Sequence, residues 1–381
     1  MEKKVLHVVS VPFSISYFLG EQFKYFNKSK QNYKFFVACS PSENLQDLSV
    51  KYDFESFGLQ INRAITPFED VRAIFKLRKF ILENNINVVI GHTPKGGMIA
   101  MIAALLAGVK NKIYFRHGLV YETSKGLKKQ LLKKIEKLSG GIANKVVCVS
   151  NGIKEKSISD KLNKKSKNII LGMGTCSGVD CDNRFNPNKI NYLEVKVLKS
   201  KLNIYDSDIV FGFIGRIVRD KGINELIEAW YDFSKKYNNV KLMLVGPIEE
   251  RDQISDKSIE IILNDDSIIH VGEVEDVAIY YATMNVFILP SYREGFPTVI
   301  LEASSMELPI ITTNATGCKE AIIEGETGII TSINAEAIYQ SFEFFIQNSD
   351  KQREFGKKGR NFIVENFEQT KVWDIIEKQI L

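Results

Sequence analysis

The chain has 381 residues, enough for two domains of ordinary size, and its 44% hydrophobic and 25% charged residues are typical of a soluble globular protein. Its five cysteines are scattered with no histidine cluster near them, which argues against a disulfide framework or a zinc site and fits a reducing cytoplasm. The apolar run near the N-terminus ends at Pro12 and is too short for the core of a signal peptide, and no apolar run reaches about 18 residues, so we expect neither a signal peptide nor a membrane-spanning segment.

The two halves of the chain carry opposite charge. Residues 1–185 contain 30 Lys and Arg against 15 Asp and Glu, whereas residues 186–381 contain 21 against 31. This asymmetry predicts an anionic partner for the first half, either nucleic acid or an anionic membrane surface. A solvated, lysine-rich surface accounts for part of the excess.

Short apolar runs alternate with helical patterns through the first half. The strand-like runs cover residues 5–9, 35–38, 88–90, 113–115 and 146–149. Alternation of this kind predicts a parallel sheet covered by helices on both faces. Because ligands bind beyond the carboxyl ends of such strands, the loops that follow them are the candidate sites.

Polar residues stand in two of these loops. Residues 91–97, GHTPKGG, combine a proline near a helix start with Lys95 and two glycines, which suits an anion; a tight turn with Lys95 in solvent is the alternative. Arg116 and His117 follow the strand of residues 113–115 directly. A histidine at a strand's carboxyl end, beside Gly118, is placed to reach a ligand, although a lone histidine is more often structural.

Residues 124–139, SKGLKKQLLKKIEKLS, form a basic amphipathic pattern. Five apolar residues fall on one helical face and five lysines occupy the remainder. The two sets are Leu127, Leu131, Leu132, Ile135 and Leu138, and Lys128, Lys129, Lys133, Lys134 and Lys137. The pattern is typical of a membrane-surface helix, where each lysine contributes about 1 kcal/mol near an anionic leaflet. The alternative is a helix that packs its leucines on the domain; the charge of the first half favours the membrane.

The second half opens with a buried strand over residues 209–214, which is followed by Gly215, Arg216, Lys221 and then a helical pattern. Arg216 offers a planar fork of donors and Lys221 a compact point charge, a combination suited to a diphosphate. Between the halves, Gly172-x-Gly174 lacks the context of a dinucleotide loop. Asp180-x-Asp182 and Asp206-x-Asp208 resemble a metal doublet by letter only, so we predict no metal site.

The central motif lies in residues 285–306, NVFILPSYREGFPTVILEASSM. A buried strand delivers a loop containing Glu294, and Pro297 is suited to the first position of the helix that follows. Exposed N–H groups and the dipole at such a helix start favour an anion. We interpret Glu294 and Glu302 as two hydroxyl-binding carboxylates at different distances from one bound anion, as a nucleotide sugar requires. The alternative is that Glu302 stabilises the helix start and Glu294 is solvated.

The E-x7-E spacing of EGFPTVILE and the G-R-x4-K-G arrangement of residues 215–222 resemble the signatures of the retaining glycosyltransferases of family 4 (group 1), which have the GT-B fold. The motifs GHTPKGG, RHG, VSNGI and a G-V-D linker extend the resemblance over almost the whole chain. They are most similar to members that build capsule or O-antigen glycans on polyprenyl diphosphate.

The resemblance implies an α/β fold of two facing Rossmann-like domains, with parallel sheets and an interdomain cleft. We expect an acceptor-side domain over residues 1–185 and a nucleotide-sugar-binding domain over residues 186–365. The C-terminal helix, about residues 366–381, is expected to pack back on the first domain.

The resemblance also implies roles for individual residues. The residues expected to act in catalysis are Glu294, His117, Arg216 and Lys221. Those expected to bind the donor are Glu302, Gly295, Phe296, Pro297, Thr298, Gly215 and Val274. Those expected to bind the acceptor are Lys95, Arg116 and Tyr17, although an aromatic residue at a helix start, such as Tyr17, is more often part of the core.

The implied activity is transfer, with retention, of a sugar from a nucleotide-diphosphate donor, for which a UDP-sugar is expected. The expected acceptor is a lipid-linked or free glycan in bacterial capsule or O-antigen synthesis, with polyprenyl diphosphate as the lipid carrier. No cofactor or metal is expected. The basic helix of residues 124–139 is expected to hold a cytoplasmic protein peripherally on the inner face of the cytoplasmic membrane.

Three other functions remain open from the sequence. A nucleotide-sugar 2-epimerase or a phosphorylase has the same architecture. A non-catalytic nucleotide-binding subunit at the membrane is a second possibility, against which the intact charged positions argue. Nucleic-acid binding would give steeply salt-dependent association, but no interleaving of basic and aromatic residues supports it.

Overall fold

The computed structural model describes residues 2–62, 64 and 66–381. The chain divides into two compact units. The first consists of Met1–Gly178 with Thr370–Leu381, and the second of Val179–Gln369. Among the described residues, no helix has both the length and the apolar content that crossing a bilayer requires.

A seven-stranded, all-parallel sheet forms the centre of the first unit. Its strands are β1 (Lys3–Val8), β2 (Tyr33–Cys39), β3 (Glu55–Gly58), β4 (Val88–His92), β5 (Asn111–Arg116), β6 (Lys145–Cys148) and β7 (Asn168–Ile169). Their spatial order is β3-β2-β1-β4-β5-β6-β7. The apolar runs in the sequence therefore mark buried strands, as expected of a parallel sheet covered on both faces.

The helices of the first unit connect these strands. They are α1 (Phe13–Phe18), α2 (Gln22–Phe26), α3 (Leu45–Tyr52), α4 (Pro67–Glu83), α5 (Pro94–Leu106), α6 (Gly126–Ile142) and α7 (Asn151–Ser159). The strand order runs one way from β1 to β3 and the other way from β4 to β7. With right-handed crossovers, this reversal puts the connecting helices on opposite faces of the sheet.

The second unit repeats the plan with six parallel strands in the order β10-β9-β8-β11-β12-β13. They are β8 (Ile209–Ile214), β9 (Val240–Val245), β10 (Ile268–Gly272), β11 (Val286–Leu289), β12 (Ile310–Thr313) and β13 (Gly328–Thr331). Its helices are α8 (Tyr192–Lys201), α9 (Ile223–Lys236), α10 (Asp256–Asn264), α11 (Ala278–Tyr281), α12 (Thr298–Ser305), α13 (Ala335–Gln347) and α14 (Ser349–Asn366).

The end of the chain is less continuous than its pattern predicts. A helical pattern over residues 354–381 is divided at Phe367 and Glu368 between α14 and a last helix, α15 (Gln369–Gln379). Residues 370–381 belong to the first unit. There, Trp373 lies 5.3 Å from the ring of Tyr25, and the Tyr25 hydroxyl donates to Asp374 Oδ1 at 2.6 Å.

Each sheet has one point at which the strand order reverses. It lies between β1 and β4 in the first sheet and between β8 and β11 in the second. Open α/β sheets bind ligands beyond the carboxyl ends of the strands at this point. The loops that follow these four strands are therefore where a functional site is expected.

Candidate functional site

Two loops meet at the reversal point of the second sheet. One follows β8 and contains Gly215, Arg216 and Lys221, and the other follows β11 and contains Glu294. The Lys221 ammonium pairs with Glu294 Oε1, and the Ser291 hydroxyl donates to the same oxygen at 2.9 Å. Both side chains are largely buried. The fold thus brings together, in one site, a cation and a carboxylate that are 73 positions apart in sequence.

The other cations of these loops also have acidic partners. Arg216, about half exposed, lies 2.9 Å from Glu249 through Nη1. Arg219, which lies outside the G-R-x4-K-G pattern, is exposed and pairs with Asp252 at 2.9 Å. Of these side chains Arg216 is the one that both belongs to the G-R-x4-K-G pattern and remains open to solvent.

The two loops are tied together by further contacts. Arg293 Nη2 lies 2.7 Å from Asp220 Oδ2, and the Tyr292 N–H donates to the Asp220 carbonyl at 3.0 Å. The Tyr292 hydroxyl donates to Glu225 Oε1 at 2.7 Å, which adds a link to α9. These contacts hold the two loops in one arrangement, so Lys221 and Glu294 need little reorganisation to act together.

Two glycines allow backbone to approach this site closely. Gly222 has φ +71°, and a Cβ there would lie 2.1 Å from the Pro290 carbonyl oxygen. Gly317 has φ +82°, and a Cβ there would lie 2.3 Å from the Gly295 carbonyl oxygen. Any larger residue would displace the Glu294 loop from one side or the other.

The helix start predicted beside Glu294 is present. α12 begins at Thr298, which is buried, and Pro297 precedes it as the N-cap instead of taking the first helical position. Phe296 packs 5.3 Å from the ring of Phe367, and with Gly295 it forms the turn into the helix. The first N–H groups of α12 therefore follow Glu294 at the same edge of the sheet.

Glu302 lies one turn into α12. The Tyr281 hydroxyl donates to Glu302 Oε2 at 2.9 Å, and burial raises the pKa of the Glu302 carboxyl above its usual value. The sequence predicted Glu302 but not Tyr281, which lies in α11. Val274, the remaining predicted donor residue, follows β10 and is partly buried against the core.

In the first unit, His117 belongs to a chain of three histidines. His117 Nε2 lies 2.9 Å from His92 Nδ1, and His92 Nε2 lies 3.0 Å from His7 Nδ1. The Phe18 ring stacks on His117 with centroids 3.9 Å apart. Sequence reasoning named His117 alone, although His7 and His92 also lie near the carboxyl ends of strands, which was the signal that could have found them.

Burial keeps these histidines neutral. It lowers the pKa of His7 to about 3. It also lowers the pKa of His92 well below the usual value, with smaller contributions from His117 and His7, and lowers the pKa of His117. Near neutral pH, the three side chains are therefore uncharged imidazoles.

Arg116 does not lie where the expected acceptor site requires it. Its side chain is fully buried and its Nε donates to Glu136 Oε2 at 2.8 Å, while Nη1 donates to Asn163 Oδ1 at 3.0 Å and to Ser157. Arg116 is thus a structural cation that ties β5 to α6 and α7. The expectation that it receives a phosphate does not fit this placement.

Lys95 is also engaged in the interior. It is 9% exposed, and its ammonium lies 2.7 Å from Asp70 Oδ1 and donates to Thr66 Oγ1 at 3.2 Å. A Cβ on the neighbouring Gly97 would lie 2.3 Å from the Tyr114 ring. The loop of residues 91–97 therefore serves close packing, and neither an open anion pocket nor a solvated Lys95 describes it.

Tyr17, the third predicted acceptor residue, is 38% exposed. Its ring lies 5.7 Å from that of Phe13, which is more exposed still, and 5.1 Å from that of Phe18. Tyr17 is therefore not part of the core, and Phe18 connects it to His117.

The basic helix, α6, packs on its unit through residues that the sequence pattern did not single out. Its buried residues are Glu136, Ser139 and Gly140. Leu127 is 84% exposed, and Leu131 and Leu138 are about half exposed. Leu132 and Ile135 are partly buried, so only part of the apolar face packs on the unit, and the alternative interpretation describes that part alone.

The cysteines do not pair: all five are free and buried. Within the described part of the chain, no group of three or more His, Cys, Asp or Glu side chains is arranged to hold a metal ion.

Known proteins resemble this chain over its whole length. A family model described as "Glycosyl transferases group 1" matches residues 194–362, and one described as "Glycosyl transferase 4-like" matches residues 5–150. The capsular polysaccharide biosynthesis glycosyltransferase CapM of Staphylococcus aureus is 31% identical over 377 residues, which cover 98% of this chain and 96% of CapM.

Two further comparisons agree. An Escherichia coli protein named UDP-Gal:alpha-D-GlcNAc-diphosphoundecaprenol alpha-1,3-galactosyltransferase is 27% identical over 326 residues, 83% of this chain and 80% of that protein. The crystal structure of Anabaena HepE in complex with UDP has a TM-score of 0.80 at 16% identity and covers 99% of both chains. The family and fold class expected from the sequence are confirmed. The chain belongs to the group 1 glycosyltransferases and has their two-domain GT-B fold.

Proposed function

We propose that this glycosyltransferase moves a sugar from a nucleoside-diphosphate donor, a UDP-sugar, to a glycan carried on polyprenyl diphosphate, in synthesis of a capsule or O-antigen polysaccharide. The name of CapM supports a role in capsule synthesis, and the name of the E. coli galactosyltransferase supports the donor and the lipid-linked acceptor. HepE, which binds UDP with the same fold, supports a uridine nucleotide.

The observation that carries the proposal is the ion pair between Lys221 and Glu294. Arg216 lies in the same loop as Lys221, and α12 starts shortly after Glu294. Breaking the bond between sugar and diphosphate leaves negative charge on the departing phosphate. Arg216, Lys221 and the first N–H groups of α12 would stabilise that charge, and one such contact is typically worth about 3–4 kcal/mol.

The two glutamates act on hydroxyl groups. Glu294 follows β11 directly and orients the transferred sugar, whereas Glu302 lies a turn further and binds the ribose. Tyr281 holds one oxygen of Glu302, so the other is left to accept from a diol. His117 contributes a hydrogen bond to the sugar.

Transfer occurs with retention of the anomeric configuration, as is general in this family, and needs no metal ion. The departing phosphate is the group that accepts the acceptor's proton. Determination of the product's anomeric configuration by NMR, with and without EDTA, checks both statements.

The protein docks on the inner leaflet through α6. Leu127, Leu131 and Leu138 are exposed on a helix whose lysines suit anionic headgroups. α4 adds exposed Phe68 and Phe75, and α5 packs against both helices. Flotation with anionic vesicles should show binding that decreases when Leu127 and Leu131 are changed to Ser. Equal binding of that variant would contradict docking through α6.

The proposal is tested by screening UDP-sugars for thermal stabilisation, followed by mass spectrometry of a polyprenyl-linked product. Arg216→Ala should lower turnover by about 10²–10³. Arg219→Ala is the matched control, because Arg219 is also exposed and paired with an acid in the same loop but lies outside the motif. Equal activity of the two variants would contradict the site. Conversion of a UDP-sugar to its 2-epimer without any added acceptor would favour an epimerase.

A further inference from the structure

The three histidines of the first unit are placed by strand register. His7 on β1 pairs with Ile90 on β4, and His92 lies two residues beyond Ile90. His92 in turn pairs with Phe115 on β5, and His117 lies two residues beyond Phe115. Because residues two apart share a face of a strand, the three side chains form a diagonal from the sheet's interior to its carboxyl edge.

The rings are joined through nitrogen atoms in nearly common planes. The planes of His7 and His92 make an angle of 13° with centroids 5.3 Å apart, and those of His92 and His117 make 28° at 5.2 Å. With nitrogen–nitrogen distances of 3.0 and 2.9 Å, both contacts are hydrogen bonds directed along the ring planes.

Since each neutral histidine carries one ring N–H, the three hydrogen-bonded histidines can exist in only two arrangements of their hydrogens. A neutral imidazole has one N–H and one bare nitrogen. Each of the two hydrogen bonds joins an Nδ1 to an Nε2, so a hydrogen on Nδ1 of one ring requires a hydrogen on Nδ1 of the next. All three histidines therefore carry their hydrogen on Nδ1, or all three carry it on Nε2.

The two ends of the three-histidine chain differ in their surroundings. At the inner end, His7 Nε2 is buried without a hydrogen-bond partner, beside the rings of Phe23 and Phe35. At the outer end, His117 Nδ1 has no partner among the described residues, and the Phe18 ring stacks on the imidazole and restricts its rotation. His117 Nδ1 is the one nitrogen of the chain that can meet a ligand.

We propose that His7 and His92 are positioning residues, which hold His117 in a single tautomer shared by all three rings and so fix its Nδ1 as one defined hydrogen-bonding group. The inference rests on the proposed function, in which His117 contacts the transferred sugar. A histidine with a fixed tautomer offers the sugar either a donor or an acceptor but not both, and thereby selects which hydroxyl arrangement it can bind.

The direct test is the tautomeric state measured by NMR. The chain has only four histidines, so ¹⁵N-histidine labelling gives few signals, and single substitutions assign them. The fourth histidine, His270, contacts the Gly246 carbonyl in the second unit and does not belong to the group of three. Its signal, assigned with His270→Gln, serves as the reference. Long-range ¹H–¹⁵N correlation spectra of the wild-type protein should show His7, His92 and His117 neutral and in one common tautomer. Different or mixed tautomers would overturn the proposal.

Variants test the coupling. In His92→Phe, which removes both hydrogen bonds, His117 should become a mixture of tautomers. In His7→Phe, His92 and His117 should still share one. Turnover of His92→Phe should decrease roughly tenfold, the scale on which loss of a partner that orients a functional histidine is felt. An unchanged His117 tautomer in His92→Phe, or normal turnover once that tautomer is lost, would contradict the inference.

The spectra distinguish this inference from the proposed function. They require no substrate, and the wild-type spectrum decides the shared tautomer even if His92→Phe does not fold. A wild-type protein that shows the common tautomer but transfers no sugar from any UDP-sugar would contradict the proposed function alone. A transferase with mixed histidine tautomers would contradict this inference alone.

Discussion

Lys221 and Glu294 form an ion pair across two loops that follow different strands of the second sheet. The sequence predicted both residues but assigned Lys221 to the diphosphate and Glu294 to the sugar, with no contact between them. Their contact means that the cation proposed to bind the phosphate and the carboxylate proposed to bind the sugar hold each other in place. Each is thereby placed before a donor arrives.

The first prediction concerns this pair. Lys221→Ala and Glu294→Ala should each lower kcat by about 10²–10³, since each removes a preorganised contact. Because each substitution also releases the other residue, the double variant should lose much less activity than the product of the two single effects. Steady-state kinetics with the identified donor measure this, and losses that multiply would show that the two residues act separately.

The second prediction concerns Gly222. Gly222→Ala should destabilise the second unit more than Gly325→Ala does. Both glycines have φ above +70°, which costs an alanine about 1–2 kcal/mol. Only at Gly222 does a Cβ meet backbone, the Pro290 carbonyl, whereas nothing lies within 4 Å of a Cβ at Gly325. The difference in the free energy of unfolding, measured with urea, isolates the steric contact. Equal losses would contradict the close approach.

The third prediction concerns Glu136. Glu136→Gln removes the charge that compensates Arg116 in the interior and should cost about 3–5 kcal/mol of stability. The control is Glu354→Gln on α14, which breaks exposed pairs with Lys351 and Lys358 and should cost far less stability than Glu136→Gln. Chemical denaturation compares the two. A similar small effect for both would mean that Arg116 is not a structural cation.

The fourth prediction concerns pH. The folded-state pKa of His7, about 3, is below the value near 6.5 of an unfolded histidine. A lowered histidine pKa means that the unfolded chain binds the proton first, so the stability that His7 contributes is present above pH 6.5 and is lost as pH falls toward 3.

Replacement of His7 by Leu should therefore reduce the slope of unfolding free energy against pH by about 1.4 kcal/mol per pH unit between pH 6 and pH 4. Urea titrations at several pH values give this slope for the wild-type protein and the variant. An unchanged slope would show that the buried imidazole is not what makes the first unit sensitive to acid.

Most of this fold could be predicted from the sequence, because continuous apolar runs and the spacing of apolar residues identify buried parallel strands and the helices between them well. β8 and β11 begin and end where the apolar runs do, and α9 forms where the helical pattern after Lys221 was predicted. Its buried face consists of Ile223, Leu226, Ile227, Trp230 and Phe233, with Ala229. In contrast, α8, α10 and α13 were not predicted.

The site was predicted less well where partners are distant in sequence. A loop with a lysine and glycines favours an anion site, but Asp70 takes up the charge of Lys95 and Tyr114 fills the space above Gly97. Arg116 appeared to be a ligand because Glu136, twenty positions away, was not recognised as its partner. Ion pairs between side chains on different strands and helices decide which charged groups remain available to a ligand. Such pairs cannot be predicted from a local sequence pattern.

The central claim is that the donor's two phosphates are bound by Arg216, Lys221 and the start of α12. A crystal structure with a bound UDP-sugar or UDP tests it most directly. We predict phosphate oxygens within hydrogen-bonding distance of the Arg216 guanidinium, the Lys221 ammonium and the N–H groups at Thr298. The account would be contradicted if the phosphates were bound elsewhere while Lys221 remained paired with Glu294 and Arg216 with Glu249.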